Sequence, residues 1–500
     1  MGSQEVSASQ DSWKGLRVTV AGLGVSGVSV ARALAGLGAA VTVVDGGSGP
    51  ALQARAAELA EAGVAVRLGD AETLPEGTGL VVTSPGWKPD SPLFAAAAAA
   101  GVDVIGDVEV AWRLRGPGAA PWLAVTGTNG KTTTTQMLAS ILRAGGLRTA
   151  AVGNIGTPIV DVVLEDRAAR EARAAGTGGE RREDDNAYDV LAVELSSYQL
   201  HWAPSLRAHS AAVLNLAPDH LDWHGSMEAY AADKGRIYEG NQVACVYNAD
   251  ATAKPSTEDL VREADVEEGC RAIGFTLAAP APSQLGVVEG ILVDRAFVPD
   301  RQKQAQELAE VSDVRPPAPH NIANALAAAA LARAFGVAPQ AVRDGLRAFH
   351  PDAHRIEHVA DVAGVAYVDD SKATNTHAAQ ASLAAYESIV WIAGGLAKGA
   401  TFDELVAASA KRLRGAVLIG ADRALIREAL ARHAPQVPVV DLDRTDTGAM
   451  AEAVRQAARL AAPGDTVLMA PACASMDMFT NYNKRGDAFA EAVRELGASA

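Results

Sequence analysis

Short β-branched runs alternate with Ala- and Leu-rich stretches, a GxGxxG turn follows the first such run, and a second glycine turn opens into Lys131; together these predict an α/β fold. Five hundred residues exceed one compact core, and a prior of ~150 residues per domain suggests three. The predicted architecture is a Rossmann-like N-terminal domain, a central P-loop ATPase domain and a Rossmann-like C-terminal domain.

The first series runs LRVTVAG, a helix over 26–38, AVTVVD, a helix over 51–62, GLVVTSPG and a helix over 91–100. This is the βαβ rhythm of a mostly parallel sheet. GPGAAP at 116–121 marks a boundary. The central block opens with the strand Leu123 to Val125 and continues with strands near 149–152, 189–194, 211–216 and 243–247. Two polar, charge-dense stretches interrupt it, at 165–187 and roughly 277–318. GTGG beside mixed charge runs makes the first a mobile surface insertion. A third series follows HPDAHRIE: VAYVDD, IVWIAGG, GAVLIG, VPVVDLD and DTVLMAP, with helices from 375 and near 403, 423 and 448. The expected boundaries are a disordered tail at 1–11 and domains at 12–115, 116–350 and 351–500.

A formal charge of −16 argues against a nucleic-acid surface, which needs a basic face. Cys245, Cys270 and Cys473 are odd in number and lack metal spacing, so they read as reduced thiols in a cytoplasmic protein. The N-terminus lacks a basic region followed by an apolar run, and no stretch offers the ~18 apolar residues of a membrane span. Neither secretion nor membrane insertion is expected.

TGTNGKT carries the strongest chemistry. Gly127 and Gly130 let the backbone fold with its amides inward, the helix start favours anionic phosphate, Lys131 can reach the outer phosphates, and Thr132 can ligate magnesium. Val125 stands where the usual GxxxxGK[ST] motif has its first glycine. GLGVSG, Gly22 to Gly27, follows a strand, and Asp45 closes the next one. The glycines specify close backbone approach to a diphosphate but leave open whether the ligand is NAD, FAD or another nucleotide.

ELSSYQL, from Glu194, and NLAPDHLDWHG, with Asp219 and His220, place a carboxylate and an imidazole at strand ends. These suit a magnesium site, although loop or cap roles also fit. Asn321 and Asn324 start an apolar helix, where capping is the plain alternative. In HRIE and DDSKATN, Arg355 could clamp a transferring phosphoryl group and Lys372 could neutralise developing charge. Lys372, Thr374, Lys398 and Ser475 all fall near the carboxyl ends of predicted parallel strands, where open α/β sheets bind ligands. Lysine is scarce, ten residues against thirty-four arginines, and Lys131, Lys234, Lys372 and Lys398 all lie in motifs.

TGTNGKT resembles the ATP loop of the Mur ligases and folylpolyglutamate synthetases, which form amide bonds through an acyl phosphate. GNIG, ELSSYQL, HNIANALA, HR and DDSKATN extend the resemblance to the Mur ligases over roughly residues 12–498, and PACASMDMFTNYNKRG is similar to the member that adds D-glutamate. A different amino-acid ligase, or a folate-extending one, is the alternative. The resemblance implies UDP-N-acetylmuramoyl-L-alanine and D-glutamate as substrates, ATP and Mg2+ as cofactors, and a monomer. By it, Gly24, Val25, Ser26, Asp45, Asn154 and His220 would hold the UDP-substrate. Gly127, Thr128, Asn129, Gly130, Lys131, Thr132, Thr133, Asn321, Asn324, Arg355 and Asp370 would surround ATP. Thr132, Glu194, His220 and a carbamylated Lys234 would hold magnesium, and Lys372, Thr374, Lys398, Ser475, Met476 and Tyr482 would receive D-glutamate. Catalysis would fall to Lys131, His220, Lys234 and Arg355. Because acyl phosphates hydrolyse readily, the resemblance also leads us to expect domain closure.

Overall fold

Three predominantly parallel sheets organise the chain, each a strand–helix series in which fully buried strands read as near-continuous apolar runs. The computed structural model describes residues 12–176, 187–351, 353–444, 446 and 448–499. The expected disordered tail, 1–11, lies outside them. The chain forms two compact units, one running to Val314 and resuming over Ile322–Phe349, the other comprising Arg315–Asn321 and the residues from His350 onward.

The first unit holds two sheets. The N-terminal one contains β1 (Arg17–Ala21), β2 (Ala40–Asp45), β3 (Ala65–Leu68), β4 (Leu80–Thr83) and β5 (Val104–Gly106), all parallel in the order β3-β2-β1-β4-β5. The strand order reverses beside β1, and the GxGxxG turn leaves its carboxyl end there. The second sheet comprises β6 (Trp122–Thr126), β7 (Ala151–Gly153), β8 (Leu191–Glu194), β9 (Ser210–Val213), β10 (Ala244–Asn248), β11 (Arg271–Phe275), β12 (Gln284–Val288), β13 (Ile291–Asp294) and β14 (Gln306–Glu310). Its order is β14-β13-β12-β11-β10-β9-β6-β8-β7.

Two stretches depart from the sequence expectation. The stretch 277–318 is largely built into the sheet. A hairpin turns at Glu289 and Gly290, both with positive φ (49° and 81°), and adds β12, β13 and β14, the last two pairings antiparallel. The first half of 165–187 is not a mobile insertion but the end of the helix Ile159–Gly176. Asp166 is buried there, ion-paired with Arg170 at 3.2 Å. Residues 177–186 lie outside the described residues.

The helix Lys131–Ala144 follows β6 and buries Leu138, Ile141 and Leu142. At about 1.5–3 kcal/mol for each buried aliphatic side chain, that row contributes roughly 5–9 kcal/mol before entropy. The helix Pro339–Ala348 crosses it so closely that a Cβ on Gly345 would collide with the backbone of Ile141. Ser140 Oγ also donates to Gly345 O at 2.7 Å. The phosphate-loop helix is thereby fixed from outside.

The second unit is built on β15 (Glu357–Val362), β16 (Val365–Asp369), β17 (Ile389–Gly394), β18 (Leu413–Ile419), β19 (Val439–Asp441) and β20 (Thr466–Met469), in the order β15-β16-β20-β17-β18-β19. Only β15 runs antiparallel to its neighbour. Apolar clusters around Trp391 and around Phe489 cover its two faces. Among the described residues, no helix is long and apolar enough to cross a membrane.

Candidate active site

The phosphate loop leaves β6 at Thr126 and turns through Gly127 (φ 153°) and Gly130 (φ 83°), values that disfavour a side chain. The loop after β9 braces it. Asn215 Oδ1 accepts from the Asn129 amide at 2.9 Å, and Asn215 Nδ2 donates to Asn129 O at 3.1 Å. Thr128 Oγ1 donates to Ala217 O, accepts from Ala217 N, and meets the Tyr230 hydroxyl at 3.0 Å. Lys131 starts the helix and folds back, its Nζ donating to Gly127 O at 2.9 Å and Thr128 O at 3.0 Å. Thr132 and Thr133 are buried in the first turn, and Asn324 packs against Gly130 closely enough to exclude a Cβ.

Beside this loop Glu194 ends β8, buried. Its Oε1 accepts from Asn154 Nδ2 at 2.9 Å, while Oε2 is enclosed without a hydrogen-bond partner. An orphaned carboxylate oxygen next to a phosphate loop fits a hard cation, which prefers oxygen ligands. Lys234, on the helix Met227–Gly235, is buried; its Nζ donates to Gly127 O at 2.9 Å and to Thr126 Oγ1 at 3.4 Å. Burial, and then the Lys131 charge, hold its amine well below the ordinary lysine range. Its helix is anchored through Asp233, which accepts from His201 Nδ1 at 2.9 Å and His224 Nδ1 at 3.0 Å. His220 stands exposed in left-handed conformation (φ 55°), packed on the Tyr198 ring at 4.9 Å.

In the N-terminal sheet, a Cβ on Gly27 would collide with Gly22 O, so the helix can start this close only with glycine there. Gly24 precedes that helix and Val25 is 64% exposed at its start. Asp45 accepts from Leu23 N at 2.7 Å and Gly47 N at 2.8 Å, so it shapes the glycine turn itself. Ser26 lies near the buried Asp107, which accepts from Gln199 Nε2 of ELSSYQL at 3.4 Å; burial raises the Asp107 carboxyl.

In the second unit three loops leave the carboxyl ends of the neighbouring strands β16, β20 and β17. Ala472 N donates to Ala373 O at 2.9 Å, and Leu396 and Ala474 exchange two backbone bonds of 2.9 Å. This stitching gathers Lys372, Thr374, Lys398 and Ser475 at one sheet end. Lys372 Nζ lies 3.9 Å from the Tyr482 ring centroid, a cation–π contact. Lys398 (φ 51°) and Met476 (56% exposed) face solvent, and Ser475 is buried. Asp370 accepts from Ser382 Oγ; burial pushes its carboxyl up to about 6 against the pull of Arg355. His354, before Arg355, pairs with Asp369 at 2.7 Å, which raises its imidazole. Asn321, in the same unit, donates to Pro316 O at 3.2 Å.

Family models match along the chain: a Mur ligase MurD-like N-terminal domain over 16–106, a Mur ligase middle domain over 125–332, and a Mur ligase glutamate ligase domain over 354–473. A protein of Streptomyces avermitilis named UDP-N-acetylmuramoylalanine–D-glutamate ligase is 77% identical, covering 97% of this chain and 99% of its own. One of the same name from Streptomyces coelicolor is 78% identical with the same coverage. The chain belongs to the Mur ligase family.

Two solved structures share the Mur ligase fold. UDP-N-acetylmuramate-alanine ligase from Thermotoga maritima aligns over 96% of this chain and 99% of its own (TM-score 0.55, 16% identity). A pseudomurein peptide ligase type C from Methanothermus fervidus covers 96% and 100% (TM-score 0.54, 17% identity). Sequence reasoning missed several residues that brace the candidate site: Asn215, the Asp233–His201–His224 anchor, and Arg485. The last is buried, donating to Ser371 Oγ (3.0 Å), Ser371 O (2.9 Å) and Cys473 O (3.1 Å), and so ties DDSKATN to PACAS. Its signal was an arginine inside NYNKRG, a motif noted only as a whole.

Proposed function

We propose that this Mur ligase adds D-glutamate to UDP-N-acetylmuramoyl-L-alanine with ATP, through an acyl phosphate, as a cytoplasmic monomer in peptidoglycan precursor synthesis. The observation that carries the reading is the meeting of Lys131 and Lys234 on Gly127 O beside the orphaned Glu194 oxygen. That arrangement suits phosphoryl transfer between anions. The acceptor and the amino acid follow from the name of the relatives 77% and 78% identical.

The substrate carboxylate attacks the γ-phosphorus and ADP departs. Lys131 and Arg355 offset the charge brought together there. The D-glutamate amine then attacks the activated carbonyl, the tetrahedral oxyanion collapses, and phosphate leaves. Gly127 to Thr133, Asn321, Asn324 and Asp370 bind ATP. Gly24, Val25, Ser26, Asp45, Asn154 and His220 bind the UDP-substrate, and Lys372, Thr374, Lys398, Ser475, Met476 and Tyr482 bind D-glutamate. Thr132, Glu194, His220 and Lys234 as a carbamate would hold magnesium, which supplies further charge neutralisation. The depressed amine supports the carbamate, because only a neutral lysine attacks carbon dioxide. The domain boundaries at 12–115, 116–350 and 351–500 belong to the same reading.

The test is ADP release with UDP-N-acetylmuramoyl-L-alanine across candidate amino acids. Turnover with D-glutamate alone is expected; equal turnover with another amino acid would overturn the substrate assignment. Calorimetry should show heat with the UDP-substrate and none with NAD. Lys398→Ala should raise the KM for D-glutamate and leave that for ATP; the reverse would put Lys398 in the wrong pocket.

A further inference from the structure

Cys245 and Cys270 stand 25 positions apart, yet their sulfurs lie 3.9 Å from one another. The parallel ladder explains this. Ala244 of β10 pairs with Arg271 of β11, which sets Cys245 diagonally across from Cys270 at the entry to β11. The two thiols differ in access: Cys245 is buried and Cys270 half-buried. They differ in acidity too. The hydrogen bond between the two sulfurs holds Cys270 below the ordinary thiol range, and the same bond together with burial pushes Cys245 up. Thiolate character and access therefore coincide on Cys270, as in reactive cysteines.

We propose that Cys245 and Cys270 form a thiol pair that oxidises reversibly to an intrachain disulfide, with hydrogen peroxide as oxidant. The Cys270 thiolate attacks one peroxide oxygen; the O–O bond breaks, and Cys270 becomes a sulfenic acid while the other oxygen leaves as hydroxide and takes up a proton as water. The Cys245 sulfur then attacks the sulfenic sulfur, the S–O bond breaks, and a second water leaves with the thiol proton. Two thiols and one peroxide give one disulfide and two waters. The sulfurs must close from 3.9 Å to about 2.05 Å. Side-chain rotation of the half-buried Cys270 and a small strand shift can supply this. Cys473, the third cysteine, is buried in the other unit and takes no part.

The test uses the full chain and hydrogen peroxide. In the denatured protein, titratable thiols should fall from three to one. Mass spectrometry should find a peptide linking Cys245 to Cys270, and dithiothreitol should restore all three thiols. Cys245→Ser removes the resolving sulfur, so dimedone labelling of Cys270 during peroxide exposure should rise at least tenfold over the unmodified chain. Should the serine prevent folding, the thiol count and the linked peptide of the unmodified chain decide the question alone. Three surviving thiols, a linkage between chains, Cys270 passing to sulfinic acid with Cys245 still free, or equal dimedone labelling in variant and parent would each overturn the proposal.

Discussion

Lys131 and Lys234 share one acceptor: each donates its Nζ to Gly127 O, at 2.9 Å. Two ammonium groups on one carbonyl repel, and the buried one yields. Lys234 therefore carries the depressed amine, from burial first and Lys131 second.

Carbamate formation at Lys234 should follow from that relationship. With 13C-labelled bicarbonate, NMR should show a protein carbamate resonance that is lost in Lys234→Ala and weakened at fixed pH in Lys131→Met, where the amine regains basicity. Lys234→Ala should also lose activity by orders of magnitude and recover part of it with added short carboxylic acids. Full activity without any additive would remove the carbamate from the mechanism. Lys131→Ala should lose activity by several powers of ten with the fold intact, since it removes the cation proposed for the outer phosphates.

Gly130→Ala should fail for two separable reasons. Its φ of 83° costs about 1–2 kcal/mol for an L-residue, and the new Cβ would drive into the Asn324 amide. Gly130→Ala with Asn324→Ala relieves the collision and leaves the backbone cost. Urea unfolding should thus show that adding Gly130→Ala destabilises the Asn324→Ala protein less than it destabilises the parent. Equal destabilisation in the two backgrounds would show that Asn324 does not crowd the loop.

The sequence made the strand–helix series legible because parallel strands buried on both faces are continuous apolar runs, and it exposed the phosphate loop because glycines, lysine and threonine sit together in the chain. It hid the edge of the central sheet. The strands β12, β13 and β14 are short, partly exposed and interleaved with charge, so composition alone resembled a loop. It also hid partners distant in sequence: Asn215 braces Asn129 across 86 positions, and Arg485 reaches Ser371 across 114. Cys245 and Cys270 looked unrelated until the ladder placed them side by side.

Asp370 should make stability fall with pH. Its carboxyl is raised from 3.8 to about 6, so between those values the folded protein holds a proton that the unfolded chain has released. Stability is then lost as pH rises through that window, by about 3 kcal/mol at 1.36 kcal/mol per unit. Asp370→Asn cannot titrate. Its urea-unfolding free energy, followed by a probe in the second unit, should gain on the parent by about that amount between pH 4 and 7, and turnover should fall. A gap that stays constant with pH would place an ordinary carboxylate there.

Arg485→Met should separate the proposed amino-acid site from the proposed UDP-substrate site. Arg485 is charged at neutral pH, its guanidinium held down to about 10 by burial, and it serves Ser371 Oγ, Ser371 O and Cys473 O at once. Methionine fills much of the space but leaves those acceptors without a donor, at about 1–3 kcal/mol each. Ser371 lies directly before Lys372, and Cys473 two residues before Ser475, so both arms of the proposed D-glutamate pocket lose their tie. The KM for D-glutamate should rise at least tenfold while that for UDP-N-acetylmuramoyl-L-alanine stays within about twofold, the losses converting at 1.4 kcal/mol per decade. Arg485→Lys keeps the charge but not the planar fork, so it should recover stability more than D-glutamate affinity. Unchanged D-glutamate KM in a folded Arg485→Met protein would show that the two loops hold their geometry without the arginine.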